Sequence, residues 1–148
     1  MRDKKLLCKN ILTSLVLIAG VGLVLFYIFF KERTEYHVDV TDTLLWGAAM
    51  LDGGSIYNPD FWYAYNIPFS GAILMIPFVK AFGITYLTQM LGMAAFAMVF
   101  VIALYFCLRA LSFEHFQCAA VTGLLMIFLC ASKVTRMIFF CHVIHYSL

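Results

Sequence analysis

Two carboxylates, Asp39 and Asp42, stand three residues apart at the head of the segment running from Tyr36 to Gly54. At a helix start, such a carboxylate can take the proton of an incoming hydroxyl as a general base, or help to hold a divalent cation. The commoner role of aspartate at this place is structural, because it caps orphan backbone N–H groups and answers the positive end of the helix dipole. His37 can complete a His-Asp-Asp metal site with them, although a single loop histidine is more often only solvated. Downstream, Tyr57, Phe61, Trp62, Tyr63 and Tyr65 can stack on sugar rings, or form the aromatic belt of a membrane interface. Lys80, Lys133 and Arg136 can pair with a lipid phosphate or anchor a helix end by snorkelling. Cys141, His142 and His145 share helix faces at spacings of three and four, without a visible third ligand. No phosphate loop, dinucleotide fingerprint, zinc motif or nucleophile elbow is present in the sequence.

The elements that carry these residues are written in the composition. The 148 residues are 64% hydrophobic and 12% charged, with a mean hydropathy of +0.95. Soluble domains average about 45–50% apolar and about 25% charged residues. A water-soluble globule is excluded on this count, and disorder and nucleic-acid binding with it. Six of the eight acids fall between Glu32 and Asp60, whereas Arg2, Lys4, Lys5 and Lys9 precede the first apolar run. The five cysteines avoid the acidic stretch, so no disulfide framework is indicated.

Residues 11–30 are uncharged and, as a helix, about 30 Å long, the thickness of a bilayer core. No small-residue cleavage site follows, so the run reads as a retained signal anchor with a cytoplasmic amino terminus. Further spans are expected at 86–108 and 116–132, and a fourth begins at 137–148 and is cut short. This predicts an all-α, polytopic transmembrane protein with one outer loop, 31–84, carrying short juxtamembrane helices. A helix that stops in mid-bilayer suggests the front end of a longer protein, a single amino-terminal transmembrane region over 1–148. Within the loop, Thr41 or Asp42 caps a short amphipathic helix whose stripe is Leu44, Leu45, Ala48, Ala49 and Leu51. Gly53 or Gly54 closes that helix, and Asn58-Pro59-Asp60 makes a turn.

The stretch 61–79 is uncharged but broken by Pro68 and Pro77, which suits an interfacial or re-entrant helix on the outer side. With that piece outside, five cations lie inside and five outside; with it spanning, the split is seven to three. The positive-inside tendency alone therefore favours a span.

The run Asp42-Thr43-Leu44-Leu45-Trp46-Gly47-Ala48-Ala49-Met50-Leu51-Asp52-Gly53-Gly54-Ser55-Ile56-Tyr57-Asn58-Pro59-Asp60-Phe61, after a signal anchor, resembles the first outer loop of the GT-C superfamily. These are polytopic glycosyltransferases of the protein-mannosyltransferase and arabinose-transferase kind. Tyr65-Asn66-Ile67-Pro68-Phe69 and Ile76-Pro77-Phe78-Val79-Lys80-Ala81-Phe82-Gly83 are similar to their Pro-containing juxtamembrane segment, which keeps 61–79 on the outer face. The resemblance covers about residues 10–110 and its motifs are loose. It implies transfer of a sugar from a polyprenyl-phosphate carrier to an acceptor hydroxyl on the outer face of the plasma membrane. An acidic residue of the loop would be the catalytic base or metal partner; the matching positions are Asp42 and Asp39, with Asp42 nearer the helix start. Lys80 and Arg136 are then candidates for the lipid phosphate, and Trp62 and Tyr63 for the sugar. Many members carry adjacent acids here, whereas Val40 and Thr41 intervene in this chain. The alternative is a small non-enzymatic polytopic subunit serving assembly, interaction or transport.

Overall fold

The computed structural model describes residues 2–31, 38–62 and 72–136. Those residues are all-helical, with no strand among them. Helix α1 (Arg2–Phe26) runs on into a π-helical turn over Tyr27–Lys31. Two shorter helices follow, α2 (Val38–Gly53) and α3 (Ala72–Phe82). Helices α4 (Tyr86–Ala110) and α5 (His115–Leu129) form a hairpin, and the four-residue α6 (Lys133–Arg136) follows. Among the described residues, two helices are long and apolar enough to cross a membrane, over Lys4–Lys31 and Tyr86–Ala110.

Contacts along their length fix the directions of the long helices. Lys9 Nζ lies 5.2 Å from the Phe116 ring centroid, Gly20 meets Gly123, and the Arg136 Cζ lies 4.3 Å above the Tyr27 ring. Helices α1 and α5 therefore run parallel. The short turn after α4 sends α5 back beside it, with Tyr105 Oη 2.9 Å from His115 Nδ1, so α4 is antiparallel to both. The α4–α5 turn thus lies beside the amino terminus of α1, and the α2–α3 pair lies towards the other end.

Glycine sets the closest approach. A Cβ on Gly123 would stand 2.7 Å from Leu17 Cα and N, and one on Gly20 would stand 2.5 Å from the Gly123 carbonyl oxygen. The backbones of α1 and α5 touch at that crossing, which any side chain would pry apart. Around it, Val24 and Ile28 of α1, Met75 of α3, Met93, Ala97 and Val101 of α4, and Met126 and Leu129 of α5 form the core. Met75 is fully buried, and its thioether occupies the space that a Gly92 side chain would need.

Several local expectations are revised. Helix α2 begins at Val38, so Thr41 and Asp42 lie inside it and neither is its cap. Nothing in Val38-Asp39-Val40 forbids helix, and an acidic residue in a first turn is favoured by the dipole. The buried side of α2 is Thr43, Leu44, Trp46, Gly47, Ala49 and Met50, while Leu45 is exposed. The reason is the crossing with α3: Gly47 meets Met75 Cβ and the Ala72 carbonyl, which turns Trp46 and Met50 onto Ala72, Phe61 and Ile76. Helix α5 is 15 residues, about 22 Å, and ends before the expected 132. Ser132 Oγ accepts the Thr135 N–H at 3.0 Å and so starts a new turn in place of continuing the old one. Helix α3, 11 residues and about 16 Å, is shorter than a bilayer core of about 30 Å. The expected segment 137–148, with Cys141, His142 and His145, lies outside the described residues.

Candidate functional site

The proposed chemistry rests on α2, and most of the motif residues on α2 have packing duties. Trp46 and Met50 are each 2% exposed in the cluster under α3. Gly54 adopts φ +61° and stops the helix, a conformation glycine takes without a Cβ penalty. Asn58 then folds back: its Nδ2 donates to the Ala49 carbonyl at 3.0 Å, and its Oδ1 accepts the Asp60 N–H at 3.0 Å. The same side chain fills the space beside Gly53, so a larger residue there would displace the turn.

Asp42 sits in the second turn of α2, half-buried and engaged by other groups of the protein. Asp39 is the second residue of the helix, three positions before Asp42 and therefore on the same side of it. This places two carboxylate-bearing positions at the helix end whose dipole favours negative charge. His37 and Tyr63 lie outside the described residues. Trp62 is 92% exposed in the α2–α3 connection, open to any planar ligand or interface. Lys80 is exposed in the last turn of α3. Arg136 is half-buried and serves the end of α5, with Nη1 donating to the Cys130 carbonyl at 2.8 Å and the guanidinium on Tyr27. Among the described residues, no three Cys, His, Asp or Glu groups gather as a metal site.

The turn from α3 into α4 is built from hydroxyls. Gly83, at φ +69°, closes α3 by donating its N–H to the Val79 carbonyl at 2.8 Å. Thr85 caps α4 by accepting the Thr88 N–H at 3.2 Å, and Thr88 Oγ1 donates to the Gly83 carbonyl at 2.7 Å. One residue on, Gln89 is 5% exposed, and among the described residues neither its Nε2 nor its Oε1 has a hydrogen-bond partner. The hydroxyl of fully buried Thr122 on α5 is also unpartnered.

Sequence reasoning passed over Gln89, although it is the one side-chain amide between Ala81 and Leu108. A buried unsatisfied amide costs about 1–3 kcal/mol. Gln89→Met, similar in length and apolar, is therefore expected to raise the thermal midpoint in detergent. A lowered midpoint would show that the amide is engaged by water or a ligand, and would make Gln89 part of a binding site.

No protein-family model, curated protein or solved structure matches this chain.

Proposed function

We propose that this chain is the amino-terminal part of a multi-pass plasma-membrane glycosyltransferase, with a cytoplasmic amino terminus, that moves a sugar from a polyprenyl-phosphate carrier to an acceptor hydroxyl on the outer face. The observation that carries the reading is the placement of Asp39 and Asp42. They occupy the first turns of α2, and the α2–α3 pair lies away from the amino terminus of α1. With that terminus in the cytoplasm, the two positions fall on the outer side, where a lipid-linked sugar would meet its acceptor. The resemblance of residues 10–110 to GT-C transferases supports the same reaction. In it, Asp42, or Asp39 beside it, accepts the acceptor's proton as the hydroxyl attacks, or holds a divalent cation. Lys80 and Arg136 would serve the carrier phosphate, and Trp62 and Tyr63 the sugar.

Membrane embedding is supported by the surface. Leu15, Ile18, Phe106 and Phe128 are each more than half exposed, while Thr88, Gln89 and Thr122 are buried. Apolar side chains outside and polar ones inside suit helices solvated by lipid. Orientation rests on the four cations Arg2, Lys4, Lys5 and Lys9 that precede the first span, because the first span usually dominates the positive-inside tendency.

The second reading, a non-enzymatic polytopic subunit, is favoured by one observation: Trp46, Gly47, Met50, Gly53 and Asn58 are all explained by packing and capping. Transfer of labelled sugar from polyprenyl phosphate decides between the two. Membranes from cells carrying the intact gene are expected to support it, and membranes from cells deleted for the gene are not. Equal transfer by both would leave the subunit reading.

A further inference from the structure

A cavity of about 270 Å³ opens at the other end of the bundle, lined by Leu6 and Asn10 of α1, Arg109 of α4, and Glu114, His115 and Phe116 at the start of α5. Arg109 is half-buried there. Its Nη1 donates to the Phe113 carbonyl at 2.6 Å, which fixes the guanidinium and engages one of its five N–H donors. Among the described residues it makes no ion pair. Glu114, which also lines the cavity, donates its backbone N–H to Gln117 Oε1 at 2.9 Å. His115 is held through Nδ1 by Tyr105, and Lys9 lies over the Phe116 ring at the cavity edge. Arg109 and Lys9 together outnumber the one carboxylate of the lining, Glu114, and the fixed guanidinium is arranged for an anion.

The surroundings select which anion. Leu6, which is exposed, and the half-buried Phe116 give the opening an apolar rim. A soluble phosphate gains nothing from that apolar rim, whereas the glycerol and first methylenes of a lipid would cover it. We propose that this cavity seats the phosphate of an anionic phospholipid, with Arg109 as its principal contact and Lys9 as its second cation. Such a lipid joins α1 to the α4–α5 turn from outside. Basic pockets between transmembrane helices recognise headgroups by this chemistry. The inference rests on the membrane reading above and not on sugar transfer.

The test uses the full chain and three probes: vesicles of phosphatidylcholine alone, vesicles containing phosphatidylglycerol, and inorganic phosphate. The chain is expected to float with both vesicles. After extraction into detergent it should retain phosphatidylglycerol in preference to phosphatidylcholine, as read by native mass spectrometry. Arg109→Gln should weaken that retention about fivefold, the effect of one cation. Lys9→Gln, which leaves the Arg109–Phe113 bond in place, should weaken it in the same direction. Lys31→Gln, at the opposite end, should leave it unchanged. Equal retention of the two lipids, or indifference to both Arg109→Gln and Lys9→Gln, overturns the site. Displacement of the lipid by inorganic phosphate overturns its assignment to a lipid. Failure to float with either vesicle overturns the membrane reading itself.

Discussion

Asp42→Asn is expected to lower sugar transfer by roughly 10²–10⁴-fold in the proposed reaction, the usual contribution of a general base. Asparagine is nearly isosteric with aspartate but cannot take the acceptor's proton and is a poorer cation partner. Because Asp42 lies inside α2, the substitution removes no cap. What it changes is the charge of a half-buried group engaged by its neighbours, for which asparagine keeps one acceptor oxygen. Folding should therefore survive, and a thermal melt of each variant in detergent separates lost activity from lost protein. Asp39→Asn is the comparison, since the two positions share one side of the helix. A larger loss at Asp39 would move the catalytic role one turn back. Near-normal transfer in both variants would leave the pair with a purely structural role.

The second large effect lies far from that chemistry. Gly123→Ala puts a methyl group 2.7 Å from the backbone of Leu17 and Val16, and backbone cannot swing aside as a side chain can. The α1–α5 pair must separate, at about 1–3 kcal/mol for overpacking of this kind. Gly20→Ala, on the facing helix, meets the Gly123 carbonyl and the Met126 Cβ and should act in the same direction. Gly22→Ala is the counterpart, because nothing lies within 4 Å of its Cβ. Alanine is preferred over glycine in a helix interior by about 1 kcal/mol, so this change should raise stability. Three thermal melts in one detergent measure all three signs. Equal effects at Gly20 and Gly22 would mean that α1 and α5 do not cross where the two glycines meet.

The parts of this fold that were readable in the sequence are those set by neighbours along the chain. An uncharged run such as 86–108 has no alternative to a long helix, and α4 ends only two residues beyond it. Gly53-Gly54 and Asn58-Pro59-Asp60 carry their own turn chemistry, and the helix stop at Gly54 and the Asn58 side-chain bonds follow from it. What needed the structure depends on residues distant in sequence. The rotation of α2 is one case: apolar residues surround the helix, and only Gly47 crossing Ala72 and Met75 turns Trp46 inward and Leu45 outward. Gln89 is another, because its burial is decided by packing from other helices and not by its own neighbours in the chain. The start of α2 was misplaced because Thr41 and Asp42 are good caps, and Val38-Asp39-Val40 contains nothing that rejects helix. Of the candidate site, the pair Asp39 and Asp42 was legible from residue type and spacing. The bond of Arg136 to the Cys130 carbonyl was not, since that contact depends on the break between α5 and α6.

The placement of the candidate site depends on which ends of the helices share a side of the membrane, and cysteine accessibility measures this directly. Ser112, in the α4–α5 turn, and Ser55, after α2, are both exposed and so suited to replacement by cysteine. On a background lacking the native cysteines, Ser55→Cys should react with an impermeant thiol reagent in intact cells. Ser112→Cys should react only after the membrane is opened. Labelling of both from outside would contradict the arrangement, because the connection through 61–79 would then have to cross the bilayer and the α2–α3 layer could not share its face with the far end of α1.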